Sequence, residues 1–266
     1  MLDKAKISDT LNIVRELSKK RKFDQSVDLV LNLIDINPKK QEDAVDIFVI
    51  LPIHRKKTVR ICALIDKNLI EKAKIFDRVI IKEDLQKLAK KEIKEISKLY
   101  NFFVAQITMM PAVASAFGKI LGPLGKMPSP KIGCVITPES DLEDLKRRLQ
   151  KIIRIRTRNE PIIKASVGVE SMKDEELIEN ISAIYSGLIG ALPQEERNIK
   201  NIGLKLTMGP SVKIGSKKED VIKELDQKNL KKKKMKDTGL EKKKSEKETK
   251  KPKKDKTSGK KEETKK

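Results

Sequence analysis

Residues 58–107 read TVRICALIDKNLIEKAKIFDRVIIKEDLQKLAKKEIKEISKLYNFFVAQI, and the rhythm of this stretch decides the fold. Three short apolar runs, TVRICALI, RVIIK and NFFVAQI, are separated by the amphipathic segment LIEKAKIF and by a helix expected from Asp84 to about Tyr100. The runs are continuous rather than alternating, as in strands of a parallel sheet covered on both faces. Strands of that kind alternating with helices describe a small doubly wound unit. The unit closes with DLEDLKRRLQ at 141–150, a helix with Asp141 and Asp144 near its positive N-terminal end and Arg147 and Arg148 toward the other.

On either side of this stretch the pattern changes. Upstream, Ser8 is placed to cap a helix carrying Leu11, Val14 and Leu17, and Val27, Leu29, Leu31 and Leu33 alternate as a half-buried strand. A second alternating run, Val45, Ile47, Val49 and Leu51, follows the turn at Asn37-Pro38, and the two are expected to pair as a meander. Downstream of Lys151, IRIRTR and IIKASVGVE alternate again, a long helix spans about Lys173 to Leu192, and NIGLKLTM is the last strand. The expected fold is therefore mixed α/β and α+β in two domains. A split α+β domain comprises 1–57 and 153–228, and a Rossmann-like domain is inserted at 58–152.

The chain has 266 residues with 61 Lys+Arg against 39 Asp+Glu, a net charge of +22 that points to a polyanionic partner. From Lys231 to Lys266 there are 18 Lys and 7 acidic residues, so 229–266 reads as a disordered basic tail and the other residues are basic in their own right. Aromatics are 3% and Trp is absent, which argues against RNA modules that stack bases on aromatic sheets. Binding is expected to use shape, backbone and charge. Cys62, Cys134 and the single histidine His54 supply too few ligands for a structural zinc site, and no metal or cofactor is expected. The N-terminus lacks the apolar core of a secretory signal. Leu99 to Gly118 is uncharged, but Asn101, Gln106, Thr108, Pro111 and Ser115 interrupt it as a membrane span, and its Thr-Met-Met-Pro step reads as a strand running into a helix.

Two glycine-rich stretches bear on function. GKILGPLGKMPSPKIG, at 118–133, resembles a phosphate loop only superficially. Ile120 occupies the first glycine's place and Met127 that of the magnesium-binding hydroxyl, so it is read as a rigid, basic surface loop. In TMGPSV, Gly209 is free to take a positive φ and Pro210 fixes the next residue, so the turn holds Thr207, Met208 and Ser211 in set directions. A rigid turn bearing hydroxyls suits close approach to an RNA backbone. On the strand from Ser26, Ser26 and Asp28 share the face opposite Val27 and Leu29, where a hydroxyl and a carboxylate can bond ribose 2′-OH groups. No G-x-S-x-G, H-E-x-x-H or C-x-x-C occurs, and Glu175-Glu176 reads as a helix start, which disfavours an enzyme.

Taken together, Lys22-Phe23-x-Gln25-Ser26-Val27-Asp28-Leu29, Gly122-Pro-Leu-Gly-Lys-Met-Pro128 and Thr207-Met-Gly-Pro-Ser-Val212 resemble the L-one family of large-subunit ribosomal proteins, the lateral-stalk protein beside the tRNA exit site. The resemblance spans about residues 3 to 215 and departs from the family at Leu51-Pro52-Ile53-His54-Arg55. It implies a split RNA-binding domain with a Rossmann-like insertion. It also implies that the partners are large-subunit rRNA, the protein's own mRNA, whose translation it represses, and transiently the exit-site tRNA. By the same resemblance Lys22, Phe23, Ser26 and Asp28 lie on one RNA-facing strand, with Thr207, Met208 and Gly209 in the neighbouring turn. Ser26, Asp28 and Thr207 would bond ribose and phosphate groups, Met208 would pack on a nucleotide, and Gly209 would let the backbone approach. Arg158 and Lys164 join from the strand after the insertion. The protein is expected to be a cytoplasmic, ribosome-bound non-enzyme, monomeric off the ribosome and without a membrane partner. The reading from another class is a Rossmann-domain enzyme acting on nucleotides or RNA, which requires saturable mononucleotide binding by 58–152.

Deleting 231–266 is expected to flatten the salt dependence of RNA binding while leaving the preference among RNAs intact, because lysine–phosphate contacts set the slope of log K against log salt at about −0.9 per contact. Binding titrations of the full-length and shortened chains at several salt concentrations measure both quantities.

Overall fold

A computed structural model describes residues 3–38, 40, 44–157 and 159–223. The expected tail 229–266 lies outside the described residues, as does Arg158. The chain divides into a compact unit, 1–215, and a second unit from Ser216 onward. The elements of the first unit run, in order, α1 (Lys4–Leu17), β1 (Ser26–Leu33), β2 (Asp46–Ile50), β3 (Ile61–Ile65), α2 (Ile70–Ala73), β4 (Arg78–Ile81), α3 (Lys82–Lys87), α4 (Lys90–Leu99), β5 (Phe102–Gln106), α5 (Met110–Leu124), β6 (Val135–Ile136), α6 (Leu142–Lys151), β7 (Ile152–Arg156), β8 (Ile162–Val169), α7 (Asp174–Ile189), β9 (Ile199–Leu206) and β10 (Ser211–Lys213).

The alternation in β1 works as expected. Val27, Leu29, Leu31 and Leu33 are buried and the residues between them are not. β1 is an inner strand of an antiparallel sheet ordered β10-β9-β1-β8, pairing Leu29 with Leu204 of β9 and with Ala165 of β8. Helices α1 and α7 cover the apolar face with Ile7, Leu11, Val14, Leu177, Ile181 and Ile184. Gly168 and Gly187 sit where Leu177 and Val49 press against the backbone.

The insertion is a parallel sheet ordered β4-β3-β5-β6. Its central strand explains why the apolar run is continuous. Ile61, Ala63 and Ile65 point into one core with α6, while Cys62 and Leu64 point into another with Phe103, Val113 and Phe117. Burial pushes both cysteine thiols up to about 12, so they pack as apolar groups. Across the point where strand order reverses, Gln106 Oε1 accepts from the Asp66 N–H at 3.1 Å. Residues Ile107–Leu124 are long and apolar enough to span a membrane by composition. In the fold Met109, Val113, Phe117 and Leu121 recur on one face and pack into the core beside the sheet while most of the segment is not buried, as in an amphipathic helix lying on a sheet.

Several expectations are corrected. Asp3, not Ser8, caps α1, its carboxylate accepting from the Ala5 N–H at 3.2 Å. β2 does not form a meander with β1, because both edges of β1 are taken by β8 and β9; β2 pairs instead with β7, Val49 opposite Ile153. The expected helix from Asp84 to Tyr100 is two helices, broken where Leu88 and Ala89 become extended and Glu92 accepts from the Ala89 N–H at 3.3 Å. Nearly half of the expected 118–133 loop is the end of α5, which stops at Gly125 in the left-handed region (φ 64°). Lys126 then donates to the Ser97 and Tyr100 carbonyls at 2.6 and 2.7 Å, at the C-terminal end of α4. A lysine spent on helix carbonyls is a structural group, which explains its likeness to a phosphate loop without the chemistry.

Leu29→Ala, at a fully buried position of the inner strand, is expected to cost about 2–5 kcal/mol. The measurement is a lowered urea midpoint with an unchanged m-value.

Candidate nucleic-acid interface

The face of the antiparallel sheet away from α1 and α7 is polar. By register, Asp28 stands between Ser166 of β8 and Lys205 of β9, Lys205 faces Ser211 of β10, and Val30 faces Lys164. Sequence reading anticipated Ser26, Asp28, Lys164 and Ser211 here. It missed Ser166 and Lys205, although their places on the polar phase of ASVGV and GLKL were the available signal. The Ser166 hydroxyl bonds the Asp28 carboxylate, and Lys205 and Lys57 stand near enough to lower its pKa. Burial outweighs them and holds the Asp28 carboxyl above its ordinary range.

At one end of this face a loop and a turn are locked together. Gln25 is buried; its Oε1 accepts from the Met208 N–H at 3.3 Å, and its carbonyl accepts from the Glu170 N–H at 2.8 Å. Thr207 Oγ1 accepts from the Ser26 N–H and donates to the Ser26 carbonyl, both at 3.1 Å. Asp24 Oδ2 accepts from the Ser171 hydroxyl at 2.6 Å. These bonds hold the backbone still while leaving two large apolar side chains in water, Phe23 at 54% and Met208 at 62% exposure. Ile50, Leu99 and Ile107 are exposed to a similar degree, so what distinguishes Phe23 and Met208 is the hydrogen-bonded backbone that carries them and the charged sheet face beside them.

Three site expectations change. Lys22 and Phe23 are exposed in the loop before β1 rather than on the strand, which starts at Ser26. The Thr207 hydroxyl proton is committed to Ser26, so this side chain positions the turn and has only acceptor capacity left for a ligand. Gly209 does not take a positive φ. Glycine instead gives room to Ser18 at the end of α1, whose hydroxyl would have to turn away from an added Cβ. His54, in the basic loop after β2, accepts at Nδ1 from the Lys56 N–H at 3.0 Å, and burial with neighbouring Arg55 and Lys151 lowers its pKa, so at neutral pH it adds no charge.

A split antiparallel sheet with one lysine-bearing face that no described element covers, interrupted by a doubly wound insertion, defines a two-domain mixed α/β protein. Comparison with known proteins identifies the class: the model of the ribosomal protein L1p/L10e family matches residues 14–210. Among similar proteins, the large ribosomal subunit protein uL1 of Pyrococcus abyssi is 37% identical over 216 residues, covering 80% of this chain and 96% of that protein. The uL1 of Methanothermobacter thermautotrophicus is 38% identical over 212 residues, covering 78% and 98%, and that of Thermococcus kodakarensis 34% over 217, covering 80% and 98%. The chain belongs to the ribosomal protein L1p/L10e family, a family of structural rather than catalytic proteins. The lysine-rich segment from Lys231 lies beyond the family match.

Because its folded-state pKa is raised, ionised Asp28 opposes folding: the protonated form's stability is fully present below the ordinary value of 3.8 and is lost as pH rises through the raised one. Asp28→Asn is therefore expected to be at least as stable as the parent at pH 7, with the difference vanishing below the ordinary value. Urea unfolding at the two pH values checks the sign.

Proposed function

We propose that this chain is a structural protein of the large ribosomal subunit, cytoplasmic on the ribosome. In this reading it grips the stalk region of large-subunit rRNA through the lysine-bearing sheet face and the Thr207–Ser211 turn. The observation that carries the reading is the pair of exposed apolar side chains, Phe23 and Met208, held on hydrogen-bonded backbone beside Lys205 and Asp28. Apolar groups of this kind pack on nucleotide surfaces, carboxylate and hydroxyl groups bond ribose 2′-OH, and lysines neutralise phosphate. The names and near-complete coverage of the similar uL1 proteins support the same assignment.

In the finer reading, Ser26, Asp28 and Thr207 accept from ribose hydroxyls, and Lys22, Lys164 and Arg158 contact phosphate. The division runs 1–57 with 153–228 as the RNA-binding domain and 58–152 as the insertion. A stalk protein holding its rRNA beside the tRNA exit site assists release of deacylated tRNA. A similar fold in the protein's own mRNA would let it repress its translation. Off the ribosome it acts as a monomer.

The test is binding of the full chain to an rRNA stalk fragment and to an unrelated RNA helix of equal length. Met208→Ala, a truncation of an exposed side chain, is expected to erase most of a tenfold or greater preference for the stalk fragment without lowering the melting temperature. Equal affinity of the parent chain for both RNAs would overturn the reading.

A further inference from the structure

A cleft of about 640 Å³ opens between the β2–β7 ribbon and the insertion, and its lining holds Arg55, Lys126, Arg154, Arg156 and Lys164 against one carboxylate, Glu160. Most of these cations are occupied. Lys126 serves the end of α4. Arg154 is held by both Asp46 carboxylate oxygens and the Gly125 carbonyl, with its guanidinium 5.3 Å from the centre of the Phe48 ring. Arg156 also has a partner. Arg55 is different. Its Nε is buried with no hydrogen-bond partner, no carboxylate pairs with it among the described residues, and burial lowers its pKa.

Arg55 as a residue is only part-buried, but a guanidinium cannot shed its proton at physiological pH, and leaving its Nε buried without an acceptor costs free energy that a bound anion returns. Its planar fork matches phosphate. The cleft is also continuous with the sheet face, because Lys164 belongs to both: it stands opposite Val30 on β8 and lines the cleft wall. We propose that this cleft is a second RNA-backbone site, in which Arg55 takes a phosphodiester of the same strand that crosses the sheet face at Lys164. The inference rests on the RNA-binding reading above and extends it to a residue the family motifs do not contain.

The test uses the full chain and the rRNA stalk fragment over a range of salt. Arg55→Gln is expected to weaken binding about tenfold and to lower the slope of log K against log salt by about 0.7–0.9, the share of one phosphate contact. In the RNA-free protein it leaves the melting temperature unchanged or raised, because a part-buried donor without an acceptor is removed. A melting temperature lowered by several degrees would make Arg55 a structural group and overturn the proposal. Asn159→Asp, an exposed change on the cleft wall, keeps the test independent of Arg55 and is expected to weaken RNA binding comparably. Unchanged affinity and slope in both variants also overturn it. Sodium pyrophosphate separates the two sources of phosphate: if it raises the melting temperature of the parent but not of Arg55→Gln while RNA affinity is equal in both, the cleft takes free phosphate and the RNA assignment fails. A parent chain that binds the stalk fragment no better than an unrelated helix sinks the underlying reading instead.

Discussion

Strand β1 is hydrogen-bonded along both edges, and the rest of the molecule follows from that. Its partners β8 and β9 begin at residues 162 and 199, so the first sheet cannot form until the chain has left it and returned. Whatever lies between must start and finish at neighbouring points, and the β2–β7 pair brings those points together, with Asp46 opposite Arg156 and Ile50 opposite Ile152. The insertion then needs only to be self-sufficient. Its central strand splits its side chains between two separate cores, so it makes no demand on the first sheet for burial.

Among the described residues the same arrangement leaves one sheet face without a covering layer. Two helices are enough to cover the apolar side, and the alternation of β1 places Ser26 and Asp28 outward by the same period that places Val27 and Leu29 inward. The binding surface is thus a by-product of strand geometry. What makes it specific is the fixing of its end: Gln25 and Thr207 spend polar groups on backbone, Asp24 accepts from the N–H and hydroxyl of Ser171, and together they hold Phe23 and Met208 in place. Preorganised backbone reduces the ordering cost that a flexible loop would add to binding.

Periodicity made the doubly wound insertion and the polarity of β1 legible from residues alone, because continuous and alternating runs differ in which faces they bury. Pairing was less legible. Val45 to Leu51 looks like a natural neighbour of β1, and only the competition of two better-placed strands for the edges of β1 sends it to β7. Short-range competition also hid the break at Leu88–Ala89, where Glu92 caps a new helix with neither proline nor glycine to announce it. In the site, residue types were readable but commitments were not. That the Thr207 proton belongs to Ser26, that Lys126 serves α4, and that Gly209 is there for Ser18 rather than for a left-handed turn all depend on partners remote in sequence.

The wide separation of β1 from its partners sets the order in which the chain can fold as it is made. At roughly 5–20 residues per second, β1 waits about 10–35 s after its own synthesis for Leu206 to emerge. The insertion is complete well before then, so it folds first and shortens the effective loop that β1 must close. Until Val169 emerges both edges of β1 are unpaired, and until Leu206 emerges one still is, with the apolar face of Val27, Leu29 and Leu31 beside it. The nascent chain is consequently most vulnerable to chaperone capture or aggregation at its N-terminal strand, and most so when elongation pauses before residue 169.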